Sequence, residues 1–167
     1  YHPFRIVIEG NGRVVVPNPL VPTSDGSYEM NLPELEEIFS REHPRMMVLC
    51  NPHNPVGLQW SLETLAEVGR LARKYGVLVI SDEIHGDLML GGRTHYPFAA
   101  CGEDAEAVAI TFGAPSKTFN IPGLVSSWCV IKNPEVREPF FHWLDVTSSM
   151  PPHSFPPSVP RPPIPTE

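Results

Sequence analysis

The chain has 167 residues, 41% of them apolar, which suits one domain of ordinary size with a real core. A net charge of −7 without any basic run argues against a nucleic-acid footprint, and no apolar run approaches the length that crosses a bilayer. Three widely spaced cysteines (Cys50, Cys101, Cys129) fit a reducing compartment better than a disulfide framework or a zinc site, so the expected location is the cytoplasm.

The start, YHPFRIVIEG, lacks the charged, apolar and small-residue regions of a signal peptide. Residues 5–10 (RIVIEG) and 14–18 (VVVPN) flank Asn11-Gly12, the favoured two-residue turn, and predict a hairpin. Residues 32–42 predict a helix with Leu32, Leu35, Ile38 and Phe39 on one face. MMVLC (46–50) is an unbroken apolar run and predicts a strand buried on both faces. Residues 61–76 give the clearest helix, with Ser61 as N-cap and Gly76 as stop. Its buried stripe is Leu62, Leu65, Val68, Leu71 and Ala72. VLVIS (77–81), VAITF (108–112) and VSSWCVI (125–131) are further strands, and 134–145 a last helix with Pro134 in its first turn.

Eight of the 21 prolines fall in residues 151–167, which should be extended or disordered, or else non-native sequence. The expected division is a partial large domain over 1–146 and a proline-rich tail over 147–167. Both ends are expected to be cut ends, since the first residue is Tyr1 and no leader is visible.

Buried strands joined by helices imply an α/β fold of three layers, a mostly parallel sheet flanked by helices. In such sheets ligands bind beyond the carboxyl ends of the strands. Three chemically loaded loops follow three predicted strands: NPHNPVG, DEIH and GAPSK. Parallel, adjacent strands would bring Asn54, Asp82, His85 and Lys117 to one edge. A lysine there can form a Schiff base with a carbonyl. A carboxylate can keep a pyridine nitrogen protonated, and an amide can donate to a phenolic oxygen. Together these describe a site for pyridoxal 5′-phosphate (PLP).

NPHNPVG, SDEIH and APSKTFNIPGL, in this order, resemble the class I/II aminotransferase family of fold-type I PLP enzymes. DEIH, APSKTFN, the opening YHPF and DGSYEMNLPELE are most similar to its cystathionine β-lyase branch, the C–S lyases. The resemblance covers residues 1 to about 146 and implies an incomplete PLP-dependent transferase large domain. It implies that Lys117 holds the cofactor aldehyde and later removes the substrate α-proton, and that Asp82 pairs with the ring nitrogen. Asn54 would bond the ring hydroxyl, and Tyr1 would lie on the ring face. His85 stands where transaminases carry a tyrosine, and Ser116 would contact the phosphate. The implied reaction is α,β-elimination on cystathionine or a related S-substituted cysteine, in a homodimer.

Other readings stay open. Asn54 between two prolines could merely shape a turn. Asp82, Glu83, His85 and Asp87 are metal-ligand types, but no further histidine or cysteine sits at ligand spacing. Glu83 reads as structural, His53, His95 and His142 as surface or packing residues, and Phe119 and Trp128 as core. Many transaminases of the family carry an arginine eight residues after the lysine, where this chain has Val125. Lyases of this branch tend to lack it, which favours lyase. A transaminase with the same residues is one alternative. A catalytically silent fragment is another, because the family's phosphate loop and smaller domain would lie outside residues 1–146.

Overall fold

The computed structural model describes residues 1–147. The expected proline-rich tail lies outside the described residues. The chain divides into two compact units, Tyr1–Asn133 and a second that begins at Pro134.

The sheet that organises the first unit follows the apolar runs closely. Strands β3 (Met46–Cys50), β4 (Leu78–Asp82) and β5 (Ala109–Gly113) lie side by side and run parallel. β6 (Trp128–Val130) closes the order β3-β4-β5-β6 and runs antiparallel to β5. Ahead of them β1 (Val21–Pro22) and β2 (Tyr28–Glu29) form a small antiparallel pair. The fold is α/β, a mostly parallel sheet flanked by helices.

Each helix starts and stops where side-chain chemistry allows. In α2 (Leu32–Glu42) the cap Asn31 accepts from Glu34 N at 3.2 Å and donates from Nδ2 to Glu34 Oε2 at 2.8 Å. In α3 (Leu62–Tyr75) Ser61 Oγ accepts from Thr64 N at 3.1 Å, and Gly76 ends the helix at φ 68°. Leu35, Ile38 and Phe39 of α2 join Leu65, Val68, Leu71 and Ala72 of α3 in one core. That core also takes Leu49, Val79 and Ala109, which the parallel register places on one face of the sheet. The short helix α4 (Glu103–Val108) packs so tightly on α3 that a Cβ on Gly69 would lie 2.7 Å from Ala105 Cβ.

Several expectations need correcting. Residues 5–10 belong not to a hairpin but to helix α1 (His2–Gly10). Pro3 opens the helix, Arg5 pairs with Glu9 one turn on at 3.0 Å, and Asn11-Gly12 serve as its stop. Pro17 and Pro19 deprive the intended partner strand of donors. Strand 125–131 shrinks to Trp128–Val130 and is not buried on both faces. Trp128 is 48% exposed and Phe119 68%, so neither is a core residue. Leu62 is 44% exposed, because the first turn of α3 overhangs the core that its later turns cover. Met46 begins an outer strand of this sheet and is exposed too.

β6 ends the sheet with a close approach. A Cβ built on Gly113 would overlap the indole of Trp128, its register partner. Only glycine leaves room for that ring.

In the second unit, α6 (Pro134–Val146) starts at the expected Pro134 and carries Pro139 in its interior.

Candidate active site

The register decides the geometry. Cys50 pairs with Asp82, and Asp82 with Phe112, so β3, β4 and β5 end level with one another. The three loops therefore leave the sheet at one carboxyl edge, as the alternation of strands and helices implied. Asp82 and Cys50 sit on the sheet face opposite Leu49 and Val79, because their positions are odd steps from those core residues.

The loop after β3 is tightly turned. His53 and Leu58 form a bridge, with His53 N donating to Leu58 O at 2.7 Å. Asn54 N donates to Cys50 Sγ at 3.3 Å, and Trp60 Nε1 to Cys50 O at 2.9 Å. Burial, with a smaller push from Asp82, raises the Cys50 thiol above its ordinary range. Burial lowers the His53 pKa, and the α-amino group of Tyr1 adds to the effect. Tyr1 is exposed at the head of α1, where its ring meets Phe4 edge-on.

The loop after β4 carries two kinds of carboxylate. Asp82, half-buried, ends the strand and accepts from Ile84 N at 3.3 Å. Glu83 is buried and caged: it accepts from Ser81 Oγ and Phe98 N, each at 2.9 Å, and meets His95 Nε2 at 2.8 Å. This is the structural role expected of Glu83, and it makes His95 a packing residue. Backbone bonds from Gly86 N to Glu83 O and from Leu88 N to His85 O wind residues 83–88 into a turn that presents His85.

Ser116 and Lys117 lie in α5 (Pro115–Thr118), directly after β5. Lys117 is exposed, and its amine makes no hydrogen bond or ion pair with any described residue. The neighbouring Thr118 Oγ1 donates to Asp87 Oδ2 at 2.9 Å, tying the lysine helix to the turn that bears His85.

Two clefts open here. Asn54 and His85 line one of about 560 Å³, together with Arg93. Pro115 and Phe119 line another of about 620 Å³, with Glu83 and Thr111. Asp82 and Lys117 line neither. A half-buried carboxylate at a strand end, a loop amide, and an unpaired lysine on one edge fit the donor set that PLP requires. Arg93 was missed in the sequence, since nothing in its spacing links it to the motifs; Asp87, Thr118 and Cys50 lie in or beside the motifs, but their contacts show only in the fold. Among the described residues, no group of three His, Cys, Asp or Glu is placed to hold a metal ion, and no helix is long and apolar enough to cross a membrane.

Comparison with known proteins agrees with this geometry. The chain is 45% identical over 140 residues to cystathionine beta-lyase PatB of Bacillus subtilis, which covers 84% of this chain and 36% of PatB. It is 36% identical over 140 residues to protein MalY of Escherichia coli, covering 84% of this chain and 35% of MalY. Among solved structures, cystalysin from Treponema denticola, which contains a pyridoxal 5′-phosphate cofactor, superposes with a TM-score of 0.84 at 38% identity. That match covers 90% of this chain and 38% of cystalysin. The chain thus spans about a third of the length of the curated relatives it matches. The family model for aminotransferase class I and II matches residues 1–146, and the chain belongs to that family.

Proposed function

We propose that this chain carries the core of a PLP-dependent C–S lyase site, acting by α,β-elimination on cystathionine or related S-substituted cysteines. The observation that carries the reading is the level ending of β3, β4 and β5, from which the Asn54, Asp82 and Lys117 loops leave one edge. The identity to PatB supports the choice of lyase over transaminase, as does Val125, fully exposed where a transaminase arginine would stand.

Bound PLP supplies an aldehyde for the lysine amine and a ring that draws electrons from the substrate α-carbon. Lys117 would hold that aldehyde and, when the substrate amine takes its place there, would be free to accept the α-proton. Asp82, whose carboxylate Ile84 N already orients, would keep a proton on the ring nitrogen. Asn54, whose backbone N bonds to Cys50 Sγ, would donate to the ring hydroxyl. His85, which lines the same cleft as Asn54, would stand beside it, Tyr1 would lie against the ring, and Ser116 would contact the phosphate. Loss of the β-thiol and hydrolysis then give thiol, pyruvate and ammonia. The complete protein works as a homodimer in the cytoplasm, a location in keeping with three free cysteines.

The test is to incubate with PLP, reduce with borohydride and map the modified peptide by mass spectrometry. A pyridoxyl adduct confined to Lys117, lost in Asp82→Ala at limiting PLP, is the expected result. Labelling scattered over Lys74, Lys117 and Lys132 would sink the site. Pyruvate with thiol from a β-thio amino acid, rather than a stoichiometric keto acid, separates lyase from transaminase.

A further inference from the structure

The cleft beside Asn54 and His85 is a built feature. Its walls are two loops, 51–60 and 88–96, fastened at two points. Asn51 Nδ2 donates to Tyr96 O at 2.9 Å, and Gln59 Nε2 donates to Thr94 O. Just ahead of these ties Gly91 and Gly92 both take positive φ, 66° and 72°, and turn the chain immediately before Arg93. Arg93, itself exposed, is therefore adjacent to the anchored Thr94.

The charge in this cleft runs against the rest of the chain. The net charge is −7, yet no aspartate or glutamate lines the cleft. Its charged or chargeable groups are Arg93, His53 and His85. The Arg93 guanidinium makes no hydrogen bond or ion pair with any described residue, which is equally true of Arg13, Arg45 and Arg73, but of these four only Arg93 lines this cleft. Leu88 and Met89 supply an apolar wall beside it. Such a cleft suits a ligand with an apolar stem and an anionic end. A guanidinium fork matches a carboxylate with two parallel hydrogen bonds, which an ammonium does not reproduce.

We propose that this cleft receives the sulfur substituent of the substrate and that Arg93 binds a carboxylate at its far end. The favoured substrate class is then a β-thioether amino acid whose leaving group itself carries a carboxylate. The inference rests on the lyase reading above, and it assigns Arg93 to specificity, not to the chemical step.

Two measurements test it in the intact protein. The first compares kcat/KM for pyruvate release from L-cystathionine, which has the distal carboxylate, and from S-ethyl-L-cysteine, which lacks it. The ratio should fall roughly ten-fold in Arg93→Ala, chiefly through KM for cystathionine, and recover in part in Arg93→Lys. An unchanged ratio overturns the inference while leaving the lyase reading intact. Failure of the wild-type protein to release pyruvate from either compound overturns the lyase reading and this inference with it. The second needs no turnover: NMR line broadening of 4-(ethylthio)butanoate against its amide, with PLP-free protein. Selective broadening of the carboxylate, lost in Arg93→Ala, supports the proposal. Equal broadening of acid and amide contradicts it.

Discussion

Thr118 Oγ1 and Asp87 Oδ2 meet at 2.9 Å across 31 residues of chain, joining the helix of Lys117 to the turn of His85. An exposed hydrogen bond of this kind contributes only about 0.5–1.5 kcal/mol to folding. Its larger effect should be on where the lysine stands. Thr118→Val and Asp87→Ala are expected to change the urea midpoint little, yet to lower borohydride-trapped PLP at Lys117 several-fold at limiting cofactor. Thr118→Ser should restore trapping. Equal trapping in all variants would show that the tie does not position the lysine.

Glu83 poses the opposite case, a buried group whose loss should be felt throughout the fold. Glu83→Ala strips partners from Phe98 N, Ser81 Oγ and His95 at once. Leaving buried donors unpaired costs about 1–3 kcal/mol apiece, so roughly 3 kcal/mol in total is expected in urea unfolding. Glu83→Gln keeps an acceptor for Phe98 N and should lose about half as much.

Gly69 offers a packing test. A methyl there meets Ala105 Cβ at 2.7 Å and the Ala105 backbone at 2.8 Å. Alanine improves helix propensity by about 1 kcal/mol, but forcing α3 from α4 costs about 1–3 kcal/mol. Gly69→Ala should therefore lower the thermal midpoint. A rise would mean that α4 yields freely.

Stability should form a dome in pH. Burial pushes the Cys101 and Cys129 thiols up to about 11. The unfolded chain releases those protons first, near pH 8.5, so stability falls as pH climbs from there toward 11. Burial also lowers the His53 pKa, so the unfolded chain binds that proton first and stability falls as pH drops below about 6.5. Urea midpoints at pH 5.5, 7.5 and 10 should be highest at 7.5. The thiols of Cys101 and Cys129 should also resist alkylation at pH 8. Rapid labelling of Cys101 in the native protein would contradict its burial; Cys129 is only half-buried.

The elements most legible in the sequence are those whose signals are local. Ser61 and Gly76 mark the ends of α3 because capping is chemistry within one turn. MMVLC, VLVIS and VAITF mark strands because short unbroken apolar runs need little else, although β3 lies at the sheet edge and buries only Leu49 and Cys50. The convergence of the three motif loops follows from parallel strands alone. The first ten residues misled because Asn-Gly serves a hairpin turn and a helix stop equally well, and no partner strand was there to decide. Trp128 misled because an aromatic in an apolar run looks like core, whereas an outer antiparallel strand leaves it half in solvent. Arg93 and the Asp87–Thr118 tie were invisible because each depends on a contact between loops far apart in sequence.

The run of small residues before the lysine has its own explanation in Gly113 and Trp128. The indole fills the space that any side chain at 113 would need. The two positions thus behave as a single volume shared between strands, and neither can be altered alone in the direction of greater bulk. Enlarging residue 113 becomes tolerable only when residue 128 is cut down, for example to alanine or serine. A double-mutant cycle on Gly113→Ala and Trp128→Ala should then be strongly non-additive, with the second change rescuing the first. The sheet margin four residues ahead of Lys117 is therefore a site of forced co-substitution, where one ring sets which backbones can lead into the helix that bears the lysine.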